Sequence, residues 1–316
     1  MQTVLRTTLR SAARVLFRGA FTVPVPTPLQ RAWVQAVSKI GLVSAPGTTS
    51  DRASGAPFLA HWVRNSASEA NRVLLYVHGG GFAVGSAATH LSITSHLARA
   101  ARATVLVPAY RLVPEHPYPA ALEDVLAAYH WLLERHPPEA IAVGGDSAGG
   151  GLAVKLALAL RDQGFPLPAG LVLISPWVDM TLTGESHTTM ANLDPMLAPT
   201  FLSRAVAALC GTIAVDDPRV SPLFADLRGL PPMLIEGASD EILLSDAESL
   251  TQRARDAGVT VQYECAQGMW HVYQMHAGVL AESNDSIARI AAFLDQRWAS
   301  LHQPARQASN SPGRMR

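Results

Sequence analysis

Short apolar runs alternate with longer helical stretches from about residue 56 onward, and this alternation restricts the fold. Apolar runs of about four to six residues are typical of strands covered on both faces. Strands are predicted at residues 57–63, 72–77, 103–107, 140–144, 170–174, 232–236 and 259–263. Helices are predicted between them, at residues 88–102, 119–135, 148–162, 243–257 and 283–299. The alternation favours an α/β fold with a mostly parallel central sheet and helices on both faces.

Residues 180–222 interrupt this rhythm, because they contain no clear strand and one helical pattern near residues 198–211. We expect this stretch and the helices of residues 1–45 to form a helical cap over the sheet. No Pro- or Gly-rich linker separates two units, so residues 1–302 are predicted to form one domain. The polar tail at residues 303–316 is expected to be disordered.

Composition excludes several classes of protein. Hydrophobic residues make up 48% of the chain and charged residues 16%, which argues against a disordered or fibrous protein. The 25 basic side chains balance 25 acidic ones, so nucleic acid is not an expected partner. Cys210 and Cys265 cannot form a disulfide framework or a four-cysteine zinc site, and the histidines lack metal-ligand spacing. We expect free thiols, with a single disulfide left open as the alternative, no metal and a cytoplasmic location.

The first 50 residues carry six basic side chains and no acid. They lack the continuous apolar segment of a secretory signal, and no apolar run in the chain approaches the length of a membrane span. A surface helix of the folded protein explains the pattern. A transit peptide, or a helix that contacts anionic lipid, stays open as an alternative.

The pentapeptide Gly145-Asp146-Ser147-Ala148-Gly149 fits the pattern Gly-x-Ser-x-Gly. It follows a predicted strand and begins a predicted helix, which is the order of elements that a nucleophile elbow requires. In such a turn the Ser147 hydroxyl stands at the carboxyl edge of the sheet, above a helix N-terminus that favours negative charge. We therefore predict that Ser147 is a nucleophile.

A second glycine-rich segment, His78 to Gly81, directly follows another predicted strand. Backbone N–H groups in such a loop can stabilise the oxyanion of an acyl-transfer reaction. The predicted donors are Gly80 and Gly81, together with Ala148 after the nucleophile. A phosphate-binding loop is the rival interpretation, but the Gly-Lys-Ser/Thr ending of a P-loop is absent. His78 is expected to orient the loop.

A nucleophilic serine needs a base and an acid that orients the base, in the chain order Ser, Asp or Glu, His. Asp240 and His271 each follow a predicted strand, where open α/β sheets place their sites. We therefore predict Asp240 as the acid and His271 as the base. Glu241 and Asp246 are expected to begin the next helix, and His276 is interpreted as a packing or surface residue.

Taken together, these motifs resemble the hormone-sensitive-lipase family of α/β-hydrolases, the bacterial family IV esterases. The matching pieces are His78 to Gly81, residues 110–121 (Tyr-Arg-Leu-Val-Pro-Glu-His-Pro-Tyr-Pro-Ala-Ala), Gly145 to Gly150, and Asp240 with His271. Val113 departs from the family, which usually has Ala there. In this family the 110–121 segment supports the elbow, so Arg111 and Glu115 are interpreted as scaffold.

The resemblance implies a cofactor-free serine hydrolase that cleaves short- to medium-chain esters through an acyl-enzyme intermediate. Lactones and acetyl esters stay open as substrates. Phe82 and Trp177 could wall the acyl pocket, or could equally pack in the core. Two rival functions are a binding protein that has lost activity and a lipase that works at a lipid interface. Homodimers are common in the family, and a homodimer stays open here.

Overall fold

An eight-stranded sheet forms the centre of the computed structural model, which describes residues 2–299. The strands are β1 Thr48–Arg52, β2 Ala60–Asn65, β3 Glu69–Val77, β4 Ala103–Pro108, β5 Ile141–Asp146, β6 Leu171–Ile174, β7 Met233–Ala238 and β8 Val261–Ala266. Their order in the sheet is β1-β2-β4-β3-β5-β6-β7-β8. Strand β2 runs antiparallel to both of its neighbours. The other six strands, in the order β4-β3-β5-β6-β7-β8, run parallel to one another. The predicted α/β class with a mostly parallel sheet is confirmed.

Ten α-helices connect and flank the described strands. They are α1 Gln2–Ala13, α2 Gly19–Thr22, α3 Thr27–Gly41, α4 Leu91–Ala100, α5 Ala120–Leu133, α6 Ala148–Asp162, α7 Ser186–Thr189, α8 Pro199–Cys210, α9 Leu244–Asp256 and α10 Ala281–Trp298. A π-helical turn, Arg14–Arg18, joins α1 to α2. Within residues 2–299, no helix combines the length and the apolar character needed to cross a bilayer.

The central strands explain why the apolar runs in the sequence are continuous. Every residue of β4, β5, β6 and β7 is buried, because other chain covers both faces of the sheet. Strand β1 was not predicted. Its sequence, Thr-Thr-Ser-Asp-Arg, lies at the sheet edge with four of five residues exposed, so it needs no apolar pattern. The expectation for the tail at residues 303–316 falls outside the described residues.

The N-terminal helices pack against the stretch that interrupts the strand–helix rhythm. The rings of Phe21 and Phe201 stack with centroids 4.3 Å apart, which joins α2 to α8. The Arg18 guanidinium donates hydrogen bonds of 2.6–2.7 Å to the carbonyl oxygens of Ala191, Asp194 and Leu197. These contacts bind together the two parts of the chain that we expect to form the cap.

Replacing Arg18 with Met should loosen the N-terminal helices. The substitution leaves three carbonyl groups without their charged donor, at a cost of about 1–3 kcal/mol in the free energy of unfolding. Arg14→Met is the matched control, because Arg14 donates one exposed hydrogen bond, to the carbonyl of Asn192. Chemical denaturation and limited proteolysis of residues 1–45 should separate the two variants. Equal behaviour of both variants would contradict the anchoring role of Arg18.

Candidate active site

Ser147 occupies the turn between β5 and α6, as the Gly-x-Ser-x-Gly pattern predicts. Its backbone has φ +53° and ψ −124°, a conformation that side chains rarely adopt and that costs free energy. The Ser147 N–H donates to the carbonyl of Ile174 at 2.8 Å, and its carbonyl accepts from Gly151 and Trp177. These three hydrogen bonds hold the strained turn against the end of β6, the segment that follows β6 and the first turn of α6.

Two glycines allow this turn to lie against the end of β3. A Cβ atom on Gly149 would stand 2.0 Å from the carbonyl oxygen of Val77. A Cβ atom on Gly145 would stand 2.6 Å from the same oxygen and from Gly149. Any larger residue at either position would push α6 away from β3, and Ser147 would move with it.

The glycine loop after β3 lies beside the serine. Gly80 has φ +115° and Gly81 has φ +59°, and the Gly80 carbonyl accepts hydrogen bonds from the N–H groups of Ala83 and Val84. Gly80, Gly81 and Ser147 all line one cavity. Ala148 is the first residue of α6, and N–H groups in a first helical turn have no partner within the helix.

A buried carboxylate connects the loop to the elbow. Asp146, which precedes the serine, accepts hydrogen bonds from the Tyr76 hydroxyl at 2.8 Å and the Gly79 N–H at 3.1 Å, and its other oxygen lies 3.3 Å from Nε2 of His90. Burial raises the pKa of Asp146, but the charge and hydrogen bond of His90 outweigh it, so the pKa lies below its ordinary value. The ionised Asp146 thus holds Gly79 beside Ser147.

His78 is placed as a structural residue of the loop. Its ring stacks on Tyr110 with centroids 4.3 Å apart, and its Nδ1 lies 2.8 Å from the carbonyl oxygen of Gly79. Burial, reinforced by the charge of His90, lowers the pKa of His78 to about 3. Because a carbonyl only accepts, the neutral ring donates from Nδ1, as expected for a residue that orients the loop.

The 110–121 segment is tied to the scaffold rather than to the cavity. The Tyr110 hydroxyl donates to the carbonyl of His78 at 2.8 Å. Arg111 pairs with Asp124 at 2.9 Å, and Glu115 pairs with Arg31 of α3 at 2.7 Å. These contacts agree with the structural interpretation of Arg111 and Glu115.

His271 lies on the cavity wall, and its partner is a glutamate. His271 Nδ1 stands 2.8 Å from Oε2 of Glu241, whose other oxygen accepts from the Ala238 N–H at 2.8 Å. Glu241 is fully buried. Burial lowers the pKa of His271, but the hydrogen bond and charge of Glu241 outweigh it and raise the pKa above its ordinary value. With Nδ1 donating to Glu241, the neutral ring leaves Nε2 free to accept a proton.

Asp240 does not contact His271, so its predicted place beside the histidine is wrong. Its carboxylate pairs with the Arg10 guanidinium at 2.5 Å and accepts from the Ser239 hydroxyl at 2.7 Å, in a quarter-exposed position. Adjacent residues in this turn direct their side chains to different sides. Asp240 therefore faces α1, while Glu241 faces the histidine.

The error arose from the position of a helix boundary. We expected Glu241 to begin the helix after β7, but α9 begins at Leu244. Glu241 therefore lies in the connecting turn, whose geometry the sequence pattern does not specify. The presence of two adjacent acids after a strand was the available signal, and either could have been the partner of His271.

Of the two interpretations left open for Phe82 and Trp177, the structure favours packing in the core. Phe82 and Trp177 are buried against each other, with ring centroids 6.0 Å apart, and neither lines the cavity. The N-terminal helices and the stretch near α8 supply most of the apolar wall of the cavity beside Ser147. The residues are Phe17, Phe21, Val34, Met196, Leu197 and Phe201. Sequence reasoning missed these residues individually, although it expected both stretches to cover the site.

The arrangement has the parts needed for acyl transfer. Ser147, His271 and the glycine loop follow three strands, β5, β8 and β3, and meet at the carboxyl edge of the sheet. One apolar cavity is lined by a hydroxyl, an imidazole and a loop of backbone amides. The imidazole is hydrogen-bonded on its far side to a buried carboxylate. In the part of the chain that the structure describes, no group of three or more His, Cys, Asp or Glu side chains could hold a metal ion.

Comparison with known protein families agrees with this geometry. Residues 74–275 match the model of a family described as having the alpha/beta hydrolase fold. An acetyl-hydrolase from Streptomyces hygroscopicus is 47% identical over 240 residues, covering 74% of this chain and 79% of the relative. An esterase from Acinetobacter venetianus is 39% identical over 228 residues, covering 72% of this chain and 75% of the relative.

Solved structures extend the likeness to nearly the whole chain. An esterase from the bacterial hormone-sensitive lipase family superposes with a TM-score of 0.87 at 40% identity, covering 92% of this chain and 98% of the other. The esterase EstE5, soaked with p-nitrophenyl butyrate, superposes with a TM-score of 0.86 at 37% identity, covering 93% and 98%.

Replacing Gly149 with Ala should disrupt the elbow. The new methyl group would overlap the Val77 carbonyl, so we expect a loss of about 3 kcal/mol or more in the free energy of unfolding. Gly19→Ala is the matched control, because a Cβ there meets nothing within 4 Å. Thermal unfolding measures both variants. A Gly149→Ala protein as stable as the control would contradict the close approach of α6 to β3.

Proposed function

Because this chain belongs to the α/β-hydrolase family, among the bacterial hormone-sensitive-lipase-type esterases, we propose that Ser147, His271 and Glu241 form its catalytic triad. The chain is a carboxylic ester hydrolase. The observation that carries the triad is that Ser147 and His271 line the same cavity while Glu241 binds the far side of the histidine ring. The acid is thus a glutamate in this proposal.

The reaction begins when Ser147 attacks the ester carbonyl carbon. His271 Nε2 removes the hydroxyl proton as the new C–O bond forms, and it returns that proton to the leaving alcohol. Water then attacks the acyl-enzyme in the same way and releases the carboxylic acid. Glu241 holds Nδ1–H and stabilises the imidazolium without itself becoming protonated.

Backbone amides stabilise the negative charge that develops on the substrate oxygen. The proposed donors are the N–H groups of Gly80, Gly81 and Ala148, each typically contributing about 3 kcal/mol to transition-state stabilisation. What supports this assignment is the position of both glycines on the cavity wall and of Ala148 at the start of α6. Asp146 fixes the loop relative to the serine through the Gly79 N–H.

The dimensions of the cavity support short acyl groups as substrates. Its volume of about 60 Å³ is small, which favours short acyl groups over long ones. The aromatic rings of Phe17, Phe21 and Phe201 limit it on the side of the cap. We therefore expect acetyl to butyryl esters to be the preferred substrates, in keeping with an acetyl-hydrolase and a p-nitrophenyl butyrate-soaked esterase among the relatives.

Replacing Glu241 and Asp240 one at a time with the corresponding amide should distinguish the roles of the two acids. We expect Glu241→Gln to lower kcat about 10³- to 10⁴-fold, because the imidazolium loses its charged partner. Asp240→Asn, the matched control, should stay within about threefold of wild type, because it contacts Arg10 rather than His271. Initial rates on p-nitrophenyl acetate measure both. A larger loss in Asp240→Asn than in Glu241→Gln would reverse the assignment.

The pH dependence of the Glu241→Gln variant should also change. Activity rises with pH as His271 loses its proton, and Glu241 raises the pKa of that histidine. Removing the carboxylate charge lowers the pKa, so the acid limb of kcat/KM should move to lower pH. In Asp240→Asn the limb should not move. A limb that stays in place in Glu241→Gln would show that Glu241 does not act on His271.

A p-nitrophenyl ester series from acetyl to palmitoyl tests the reaction and the cavity size together. We expect kcat/KM to be highest between acetyl and butyryl and to fall steeply beyond hexanoyl. Ser147→Ala should lower the rate by roughly 10⁴-fold or more on every ester. A maximum at long chains, with a jump in rate above the solubility limit, would instead indicate an interfacial lipase. Activity retained in folded Ser147→Ala would refute the nucleophile.

A further inference from the structure

A second cavity of about 360 Å³ lies between α5, α6 and residues 218–226, and it shares no lining residue with the cavity of Ser147. Its wall is partly apolar, with Leu122 from α5, Leu158 and Ala159 from α6, and Phe224 from the connecting segment. Cavities of this size and character commonly hold a small molecule. None of these residues takes part in the proposed reaction.

Lys155 lines this cavity and is almost completely buried, with 4% of its surface exposed. Its ammonium group donates to the carbonyl of Val220 at 3.3 Å and lies 4.8 Å from the ring centroid of Phe82. Burial lowers its pKa to about 8. Among residues 2–299 it forms no ion pair with a carboxylate, although buried cations normally require one.

The other charges on the cavity wall already have partners. Arg161 pairs with Asp162, Arg219 with Asp217, and Asp226 with Arg228, each at 2.6–2.7 Å. Their charges therefore cancel in pairs. Lys155 alone among the basic lining residues has no carboxylate partner, and the ionisable group that acts on it is the thiol of Cys210.

We propose that this cavity is a second ligand site, which binds a monocarboxylate with a short aliphatic tail and places its carboxylate against Lys155. A single buried cation matches one negative charge, whereas a phosphate dianion would need more donors than Lys155 supplies. The apolar wall formed by Leu122, Leu158 and Phe224 suits the tail. The ligand belongs to the same chemical class as the acid released by ester hydrolysis, but the assignment does not depend on the reaction at Ser147.

Lysine NMR can observe this site directly, because the chain contains only two lysines, Lys39 and Lys155. Protein labelled with ¹³C at the lysine ε-carbons should give two signals, and Lys39→Arg assigns them. Titration with hexanoate should move the Lys155 signal saturably, with half-saturation at about 1–10 mM. The Lys39 signal is the internal control and should not move. No saturable movement of the Lys155 signal would overturn the proposal.

A cavity-filling variant and two control ligands test where hexanoate binds and which of its groups are needed. Ala159→Phe fills the cavity without altering any residue of the proposed triad, so it should weaken hexanoate binding at least about tenfold while ester hydrolysis stays unchanged. An unaltered titration in Ala159→Phe would place hexanoate elsewhere, including the cavity of Ser147, and would refute the site. Hexanol and inorganic phosphate should each fail to move the Lys155 signal. A saturable shift with either one would contradict the need for both a carboxylate and a tail.

Discussion

The approach of Gly149 to the carbonyl oxygen of Val77 is the constraint on which the rest of the site depends. Because no Cβ lies between them, the first turn of α6 can lie directly against the end of β3. That contact sets the distance from Ser147 to the glycine loop, which continues from β3. Small errors in such distances are costly for catalysis, since oxyanion donors act only when correctly placed. The strained backbone of Ser147 is held by hydrogen bonds to two neighbouring segments.

Three buried carboxylates connect the loops that surround Ser147. Asp146 binds Gly79 and His90, and Glu241 binds His271 and the backbone of Ala238. Asp194 accepts from the N–H groups of Met196, Leu197 and Ile242, and so joins the stretch before α8 to the turn that carries Glu241. Each carboxylate is satisfied by hydrogen bonds, as burial of an acid requires. The stretch before α8 and the proposed triad are therefore coupled mechanically.

Sequence reasoning succeeded where a local pattern determines the structure. The central strands, the helix that begins at Ala148 and the turn at Ser147 follow from continuous apolar runs and from glycines that tolerate close approach. It failed for Asp240 and Glu241, because the direction of a side chain in a turn depends on tertiary contacts such as that of Arg10. It also missed the cavity walls, since Phe17 and Phe201 meet only after two distant stretches pack together, whereas Phe82 and Trp177 turn into the core.

The central claim is that the fold makes Ser147 a single activated nucleophile. Reaction with a fluorophosphonate ester, followed by peptide mass spectrometry, tests it directly, because such reagents form a stable adduct with an activated serine. The account predicts one adduct per chain, on the peptide that contains Ser147, and its loss in Ser147→Ala. It also predicts that folded Glu241→Gln protein reacts more slowly. An adduct on another serine, or no adduct on folded wild-type protein, would contradict the account.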